Sequence, residues 1–553
     1  MKTTSPLWMQ AAILLFCLAA VLPVKTWAQA EPSEQLMRLH LPGTSTVYTF
    51  NYPTVNSAGD PIVLSSALIA WTPTDRQEGD SIESVHIYSH ATIGADEERP
   101  STKGFSKEQL MLEMLPRRTY GGAFGDVIAE YIGRCIIIAP DYEGFGVTNH
   151  LPHPYLSQQL TAQQVLDAVN YGLGLYRKQS GADAQGDLES PLLPIKSDCR
   201  TFAIGYSQGG AVTLALQRLI EEQGMAEQLH FYGSICGDGP YDLIETMRYY
   251  FDDDGNNYGQ ETDHRKGICT YPVVLPLIIK GMCATHPAMA PYRIEDFLSQ
   301  QLIDTDVLSW IDSKEYTTSQ MSKMWYDQLQ SGLDAEDRHY SPEQMAELFS
   351  TPQKDKVWGH LDKMFVPVAF DYFNDPDNFS VVPGEADAKG DLQSPQQALH
   401  RAMADNSVVT GWEPKHRIQF YHSRGDMVVP YGNYLAFRDA HPDGENTIYR
   451  IDDTFSSSDH ATAATVFFLE LCIAESFASH FQWISEAATQ TGIAAQPMVN
   501  PQWSMVNGQR SMDNKDSWYT LDGRKLDNVG AGPVPARLRK GLYIHNGKKV
   551  VVK

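Results

Sequence analysis

The order of apolar and polar positions divides the chain into stretches of different period. From Val47 to Pro73 apolar and polar residues alternate on either side of Asn56-Ser57-Ala58-Gly59-Asp60. A period of two broken by turn-forming residues predicts two antiparallel strands joined by a turn. Beyond it, short β-branched or aromatic runs trade places with helical spacing. Val85–Tyr88, Cys135–Ala139, Arg200–Ile204 and His230–Ile235 read as strands, and Ala123–Ile132, Thr161–Lys178 and Ala211–Glu222 as helices. Strands that are apolar without interruption have no wet face, which predicts a mostly parallel sheet covered by helices on both sides. The alternation stops near Tyr241 and resumes at Ile418–Tyr421, followed by Ile448–Ile451 and by helical spacing over Ala461–Phe481. Because the sheet pattern continues after the break, residues 241–415 are expected to be a helical cap inserted between two strands of one sheet, rather than a separate domain. Residues 31–240 and 416–490 then form the core, residues 491–515 a linker, and residues 516–553 a small β segment ending in a hairpin that turns at Asn546-Gly547.

The N-terminus has a basic Lys2, an apolar stretch over Ala11–Val24 and a small-residue Ala28-Gln29-Ala30 site, the pattern of a signal peptide over residues 1–30. Its apolar run of about 14 residues is short of the roughly 20 needed to cross a bilayer. The mature chain is therefore expected to be exported, to the periplasm, the cell surface or the medium, without a stable membrane span. Of 553 residues 42% are hydrophobic and 20% charged, enough for a sizeable core. The net charge of -25 repels phosphate backbones, so nucleic acid is not an expected partner. Among the seven cysteines, Cys17 lies in the leader, and Cys135, Cys199 and Cys236 lie in or beside apolar runs as buried thiols. Cys269 and Cys283 flank an apolar segment and either pair, as export permits, or stay free. No C-x-x-C or H-E-x-x-H spacing appears, so neither a metal nor a cofactor is expected.

The candidate chemistry begins at Gly205-Tyr206-Ser207-Gln208-Gly209, a G-x-S-x-G pentapeptide. The short motif alone is weak. Here a strand precedes it and a helix follows, so the serine falls on the sharp strand-to-helix turn that lifts its hydroxyl clear of the backbone. Ser207 is thus the expected nucleophile of an α/β-hydrolase fold. A serine needs a base, and the base an orienting acid; in this fold they follow in the order Ser, acid, His. Asp426, in the loop after the strand Ile418–Tyr421, is the preferred acid over Asp238, which follows the preceding strand. His460, in a polar loop after the last strand, is the preferred base over His441, read as an exposed turn residue. The oxyanion hole calls for the N–H of Gln208 and for one from the loop Ser89–Gly94, either Ala91 or Thr92, with His90 shaping that loop.

Taken together, GYSQGG, IIIAPDYEGFG, YSHATIG, CGDGPYDL and HSRGDMVVP resemble bacterial α/β-hydrolases related to the secretory (LIP-type) lipases, over roughly residues 40 to 485. The resemblance implies a carboxylic-ester hydrolase, acting on a small-molecule ester or an acyl lipid, with a helical cap over its site. Separately, the tail resembles the C-terminal sorting segments of Bacteroidetes type IX secretion cargo, which implies a partner in that machinery. Two other readings share the fold: a prolyl-oligopeptidase-like peptidase, and a non-catalytic binding protein. Only about 50 residues separate the leader from the first core-like strands, too few for the propeller such peptidases carry, and a full set of triad candidates argues against the second.

Overall fold

The computed structural model describes residues 30–39, 45–72, 78–102, 134–183, 192–252, 258–260, 262–330, 340–379, 382–383, 394–472 and 482–485, with 518–519, 541–545 and 548–552. The expected leader and the expected helix Ala123–Ile132 lie outside these residues.

Seven strands lead the chain: β1 (Met37–Leu39), β2 (Ser45–Val55), β3 (Pro61–Trp71), β4 (Ile82–Ser89), β5 (Cys135–Pro140), β6 (Ile195–Tyr206) and β7 (Phe231–Gly237). After three short strands, β8 (Ile268–Cys269), β9 (Phe349–Gln353) and β10 (Lys356–His360), come β11 (Arg417–Tyr421) and β12 (Tyr449–Asp452). The central sheet runs β1-β2-β3-β5-β4-β6-β7-β11-β12. Its first four strands pair antiparallel, and β5-β4-β6-β7-β11-β12 are parallel. The alternating segment is the β2–β3 hairpin, closed where Asn56 Oδ1 accepts from the N–H groups of Ala58 and Asp60. Every residue of β5 and β7 is buried, which is why those strands read as unbroken apolar runs. The helix Gln158–Asp183 and the helix Gln208–Glu222 pack against the sheet and each other. The parallel strands all end at one edge, and Ser207, Asp238 and His422 follow the ends of β6, β7 and β11 there. This is the edge at which open α/β sheets build their sites.

Between β7 and β11 the chain leaves the sheet and forms helices, among them Leu243–Phe251, Val274–Thr285, Thr318–Leu329 and Pro395–Asp405. Beside these helices the insertion holds a small antiparallel sheet of three strands, in the order β8-β10-β9. This insertion has its own apolar cluster, around Trp325, Phe349 and Phe373, apart from the cluster beneath the main sheet. Cys269 and Cys283 are free, as are the buried Cys135, Cys199 and Cys236. A second compact unit starts at Gly492. In it β13 (Trp518–Tyr519), β14 (Gly541–His545) and β15 (Lys548–Val552) pair antiparallel; the expected turn at Asn546-Gly547 lies outside the described residues. No helix among the described residues is long and apolar enough to cross a membrane.

Candidate active site

Ser207 stands between β6 and the helix Gln208–Glu222 with φ 56° and ψ −124°, a conformation that L side chains rarely adopt. The turn is held because its N–H donates to Gly237 O at the end of β7 (2.8 Å). Two glycines make the turn possible through close approach. A Cβ on Gly205 would meet Gly209 O at 2.2 Å, and a Cβ on Gly209 would meet Ser89 O at 1.9 Å.

Three of the expected residues meet here. The Ser207 hydroxyl donates to His460 Nε2 (2.9 Å), and His460 Nδ1 donates to Asp426 Oδ2 (2.5 Å). Asp426 is 1% exposed, and its other oxygen accepts from the N–H groups of Val428 (2.8 Å) and Val429 (3.0 Å). His460 opens the helix His460–Cys472, with 17% of its side chain exposed, and lines a cavity shared with Ser207. Burial alone would lower the imidazole pKa. The charge and hydrogen bond of Asp426 outweigh it and hold His460 above its ordinary value.

On the other side of Ser207, the loop after β4 brings Ala91 and Thr92 to the same cavity. The N–H groups of Ala91, Thr92 and Gln208 take no hydrogen-bond partner among the described residues. Unpaired N–H groups beside a nucleophile are what a developing oxyanion requires. His90 is fully buried and stacks on Tyr142 with ring centroids 3.9 Å apart; its nitrogens face Ala91 O (2.7 Å) and Asp141 O (3.2 Å). Burial lowers its pKa to about 4, so it shapes the loop as a neutral ring.

The rival residues are elsewhere. Asp238 is 0% exposed behind Asp426, where its Oδ1 accepts from Ser423 N (2.7 Å). His441 is not an exposed turn residue. It is 6% exposed, and its Nε2 donates to Val409 O (2.8 Å). Asp238, His422 and Asp426 bring ligand-type atoms within 4.8 Å of one another. Both oxygens of Asp426 accept from N–H donors.

Several contributors were not read from sequence. The Gln208 side chain donates to His153 Nε2 (2.9 Å), whose Nδ1 donates to Glu143 O (2.7 Å), so a buried neutral histidine anchors the residue after the nucleophile. The Tyr206 hydroxyl donates to His460 O (2.7 Å), and Ser423 Oγ donates to Ser458 O (2.6 Å), linking the acid and base loops. Tyr206 was signalled by adjacency to Ser207. His153 carried no signal beyond its place in a Pro-His-Pro turn.

The cavity is about 630 Å³. Its walls are largely apolar, from Leu156 in the core and Met247, Val274, Leu275, Ile278 and Trp358 in the insertion.

The sequence matches no protein-family model and no curated protein. Among solved structures, the chain is similar to a rice cell wall degrading esterase, LipA, of Xanthomonas oryzae. Identity is 16%, coverage 80% of this chain and 91% of that one, and the TM-score 0.52. A Legionella pneumophila protein provisionally assigned as a hydrolase is similar at 16% identity, over 82% of this chain and 90% of that one, with a TM-score of 0.51. At this identity the likeness concerns the fold: a mostly parallel sheet flanked by helices, the α/β-hydrolase fold.

Proposed function

We propose that the chain is an exported serine hydrolase that cleaves carboxylic esters of small molecules or acyl lipids through an acyl-enzyme. The fold alone hosts many chemistries, so the reading rests on the site. The observation that carries it is the unbroken run of hydrogen bonds from Asp426 through His460 to Ser207, opening onto an apolar cavity. Ser207 attacks the acyl carbonyl while His460 takes its proton, and His460 then returns that proton to the departing alkoxide. Asp426 keeps the imidazole in the tautomer with hydrogen on Nδ1 and stabilises the cation that forms. The N–H of Gln208, with that of Ala91 or Thr92, holds the oxyanion. Water repeats the cycle on the acyl-enzyme. An apolar cavity favours acyl chains over charged peptides.

The test pairs a fluorophosphonate probe with p-nitrophenyl esters from acetate to palmitate and with peptide p-nitroanilides. The wild type should label and turn over esters. Ser207→Ala should not label, and its residual rate should sit about 10³–10⁴-fold above water. A labelled Ser207→Ala, or an unlabelled wild type, overturns the reading. Turnover of anilides without esters moves it to a peptidase.

A further inference from the structure

Asp238 is a buried acid to which this mechanism gives no task. Its N–H donates to Tyr421 O (2.8 Å), its Oδ1 accepts from Ser423 N (2.7 Å), and its Oδ2 has no partner among the described residues. Every titratable group packed around it can be named. From the acid loop come His422 and Asp426, from β6 Tyr206, from the helix after β12 His460, and from its own side Cys236 and Tyr241. No lysine or arginine is among them. His422 Nε2 is 3.6 Å from Asp238 Oδ1 and donates to Val429 O (3.0 Å), and its Nδ1 is buried with no partner among the described residues. Asp426 accepts three hydrogen bonds, one of them from His460, and offers a carboxylate oxygen within 4.8 Å of one of Asp238. A second ionised carboxylate beside it, buried with one backbone N–H and the Tyr206 hydroxyl as its polar neighbours, is disfavoured both by burial and by like charge.

Resting on the triad reading above, we propose that Asp238 is a positioning residue whose carboxyl stays protonated, so that one neutral group ties together the three segments bearing Ser207, Asp426 and His460. A protonated Oδ2 is a donor, and the polar group beside it is the Tyr206 hydroxyl, which gives its own proton to His460 O (2.7 Å). Tyr206 adjoins the nucleophile, His460 is the base, and Ser423 opens the loop of the acid. Asp238 thus holds the acid loop directly and reaches the other two segments through Tyr206, and it does not line the cavity that contains Ser207. Its pKa lies above the usual carboxylate range, chiefly because burial disfavours the charged form, with Asp426 adding to the shift and His422, His460 and the Tyr206 hydroxyl opposing it. A carboxylic acid kept neutral by its site so that it can donate a hydrogen bond is established chemistry.

The first test needs no turnover. An infrared difference spectrum, wild type minus Asp238→Asn at neutral pH, should contain the carbonyl stretch of an un-ionised carboxyl. A difference that shows only carboxylate bands overturns the proposal. So does failure of Asp238→Asn to fold, because the carboxamide can both accept from Ser423 N and donate to Tyr206. The second test is kinetic. Removing a charge beside His460 would lower the pH of the acidic limb of kcat/KM, whereas replacing a neutral acid should leave the limb of Asp238→Asn at its wild-type pH. Asp238→Ala should cut kcat by roughly 10²-fold, the cost of a misplacement near 1 Å, and Asp238→Asn should recover most of that loss. A limb that shifts down in Asp238→Asn, or equal losses in both variants, refutes the neutral clamp. If the wild type neither labels nor turns over esters, the enzymatic reading fails, and the infrared result still decides the protonation of Asp238.

Discussion

Ser207 and Asp238 share a backbone peculiarity, a positive φ of 56° and 33° on residues that have a side chain. Each such residue costs on the order of 1–3 kcal/mol and persists where its surroundings over-determine it. Here the two are linked, because Ser207 N–H donates to Gly237 O, the residue before Asp238. The two acids beside them differ in what they accept: Asp426 takes three hydrogen bonds, one of them from His460, and Asp238 takes one. Asp426→Asn should therefore reduce kcat by about 10⁴-fold by imposing the wrong tautomer on His460, with folding intact by circular dichroism. A larger loss in Asp238→Asn than in Asp426→Asn would reverse the assignment of the acid. The pH dependence follows from His460. The base works when neutral, and Asp426 holds its pKa above the ordinary value. The wild-type kcat/KM should thus fall as pH drops through a value above about 6.5. An acidic limb below that value would mean that burial, rather than Asp426, controls the imidazole.

Close approach of elements, more than any side chain, forms the site. The helix Gln208–Glu222 starts so near the end of β4 that a Cβ on Gly209 would lie 1.9 Å from Ser89 O. Gly209→Ala should push that helix away from the loop bearing Ala91 and Thr92. Overpacking of this kind costs about 1–3 kcal/mol, visible as a lower Tm, and the labelling rate of Ser207 should fall further than the Tm change explains. Normal labelling in a destabilised variant would mean that the loop follows the helix without loss of geometry. These elements were largely legible in the sequence, since β5 and β7 are buried on both faces and have to be apolar throughout. The helix expected over Thr161–Lys178 runs Gln158–Asp183, longer at both ends because Gln, Ser and Gly there continue the turns without an apolar signal. The small sheet of the insertion was not legible. Two residues of β8 cannot display a period, and Pro352 and Gly359 interrupt β9 and β10. In the site, Ser207, Asp426 and His460 sit in motifs that chain order arranges. Tyr206, His153 and Ser423 act through hydrogen bonds to residues more than 30 positions away, and sequence carries no local trace of such pairings.

At the scale of the molecule, the sheet carries the chemistry and the insertion closes over it. The insertion grips the acid loop: Thr270 Oγ1 donates to Met427 O (2.7 Å), and Tyr250 OH, on the helix Leu243–Phe251, donates to Val428 O (2.9 Å). The helix Val274–Thr285 divides its apolar residues between two tasks. Ile279 and Met282 are 0% exposed in the insertion's own core, while Val274 and Ile278 are half-buried and line the cavity that contains Ser207. An insertion that only stabilised itself would have no reason to leave those two facing the cavity, which argues that it sets the acyl-chain length accepted. Ile278→Trp should shorten the usable cavity, and Val274→Ala should lengthen it. Because each methylene in a hydrophobic pocket is worth about 1–3 kcal/mol, Ile278→Trp should lower the ratio of kcat/KM for palmitate over butyrate esters by about tenfold or more for each methylene excluded. Val274→Ala should leave or raise that ratio. The discriminating measurement is the whole ester series taken together with the Tm of each variant. A series whose profile keeps its shape while Tm falls would assign Val274 and Ile278 to scaffolding and return the choice of chain length to the core walls, Leu156, Val428 and Val429.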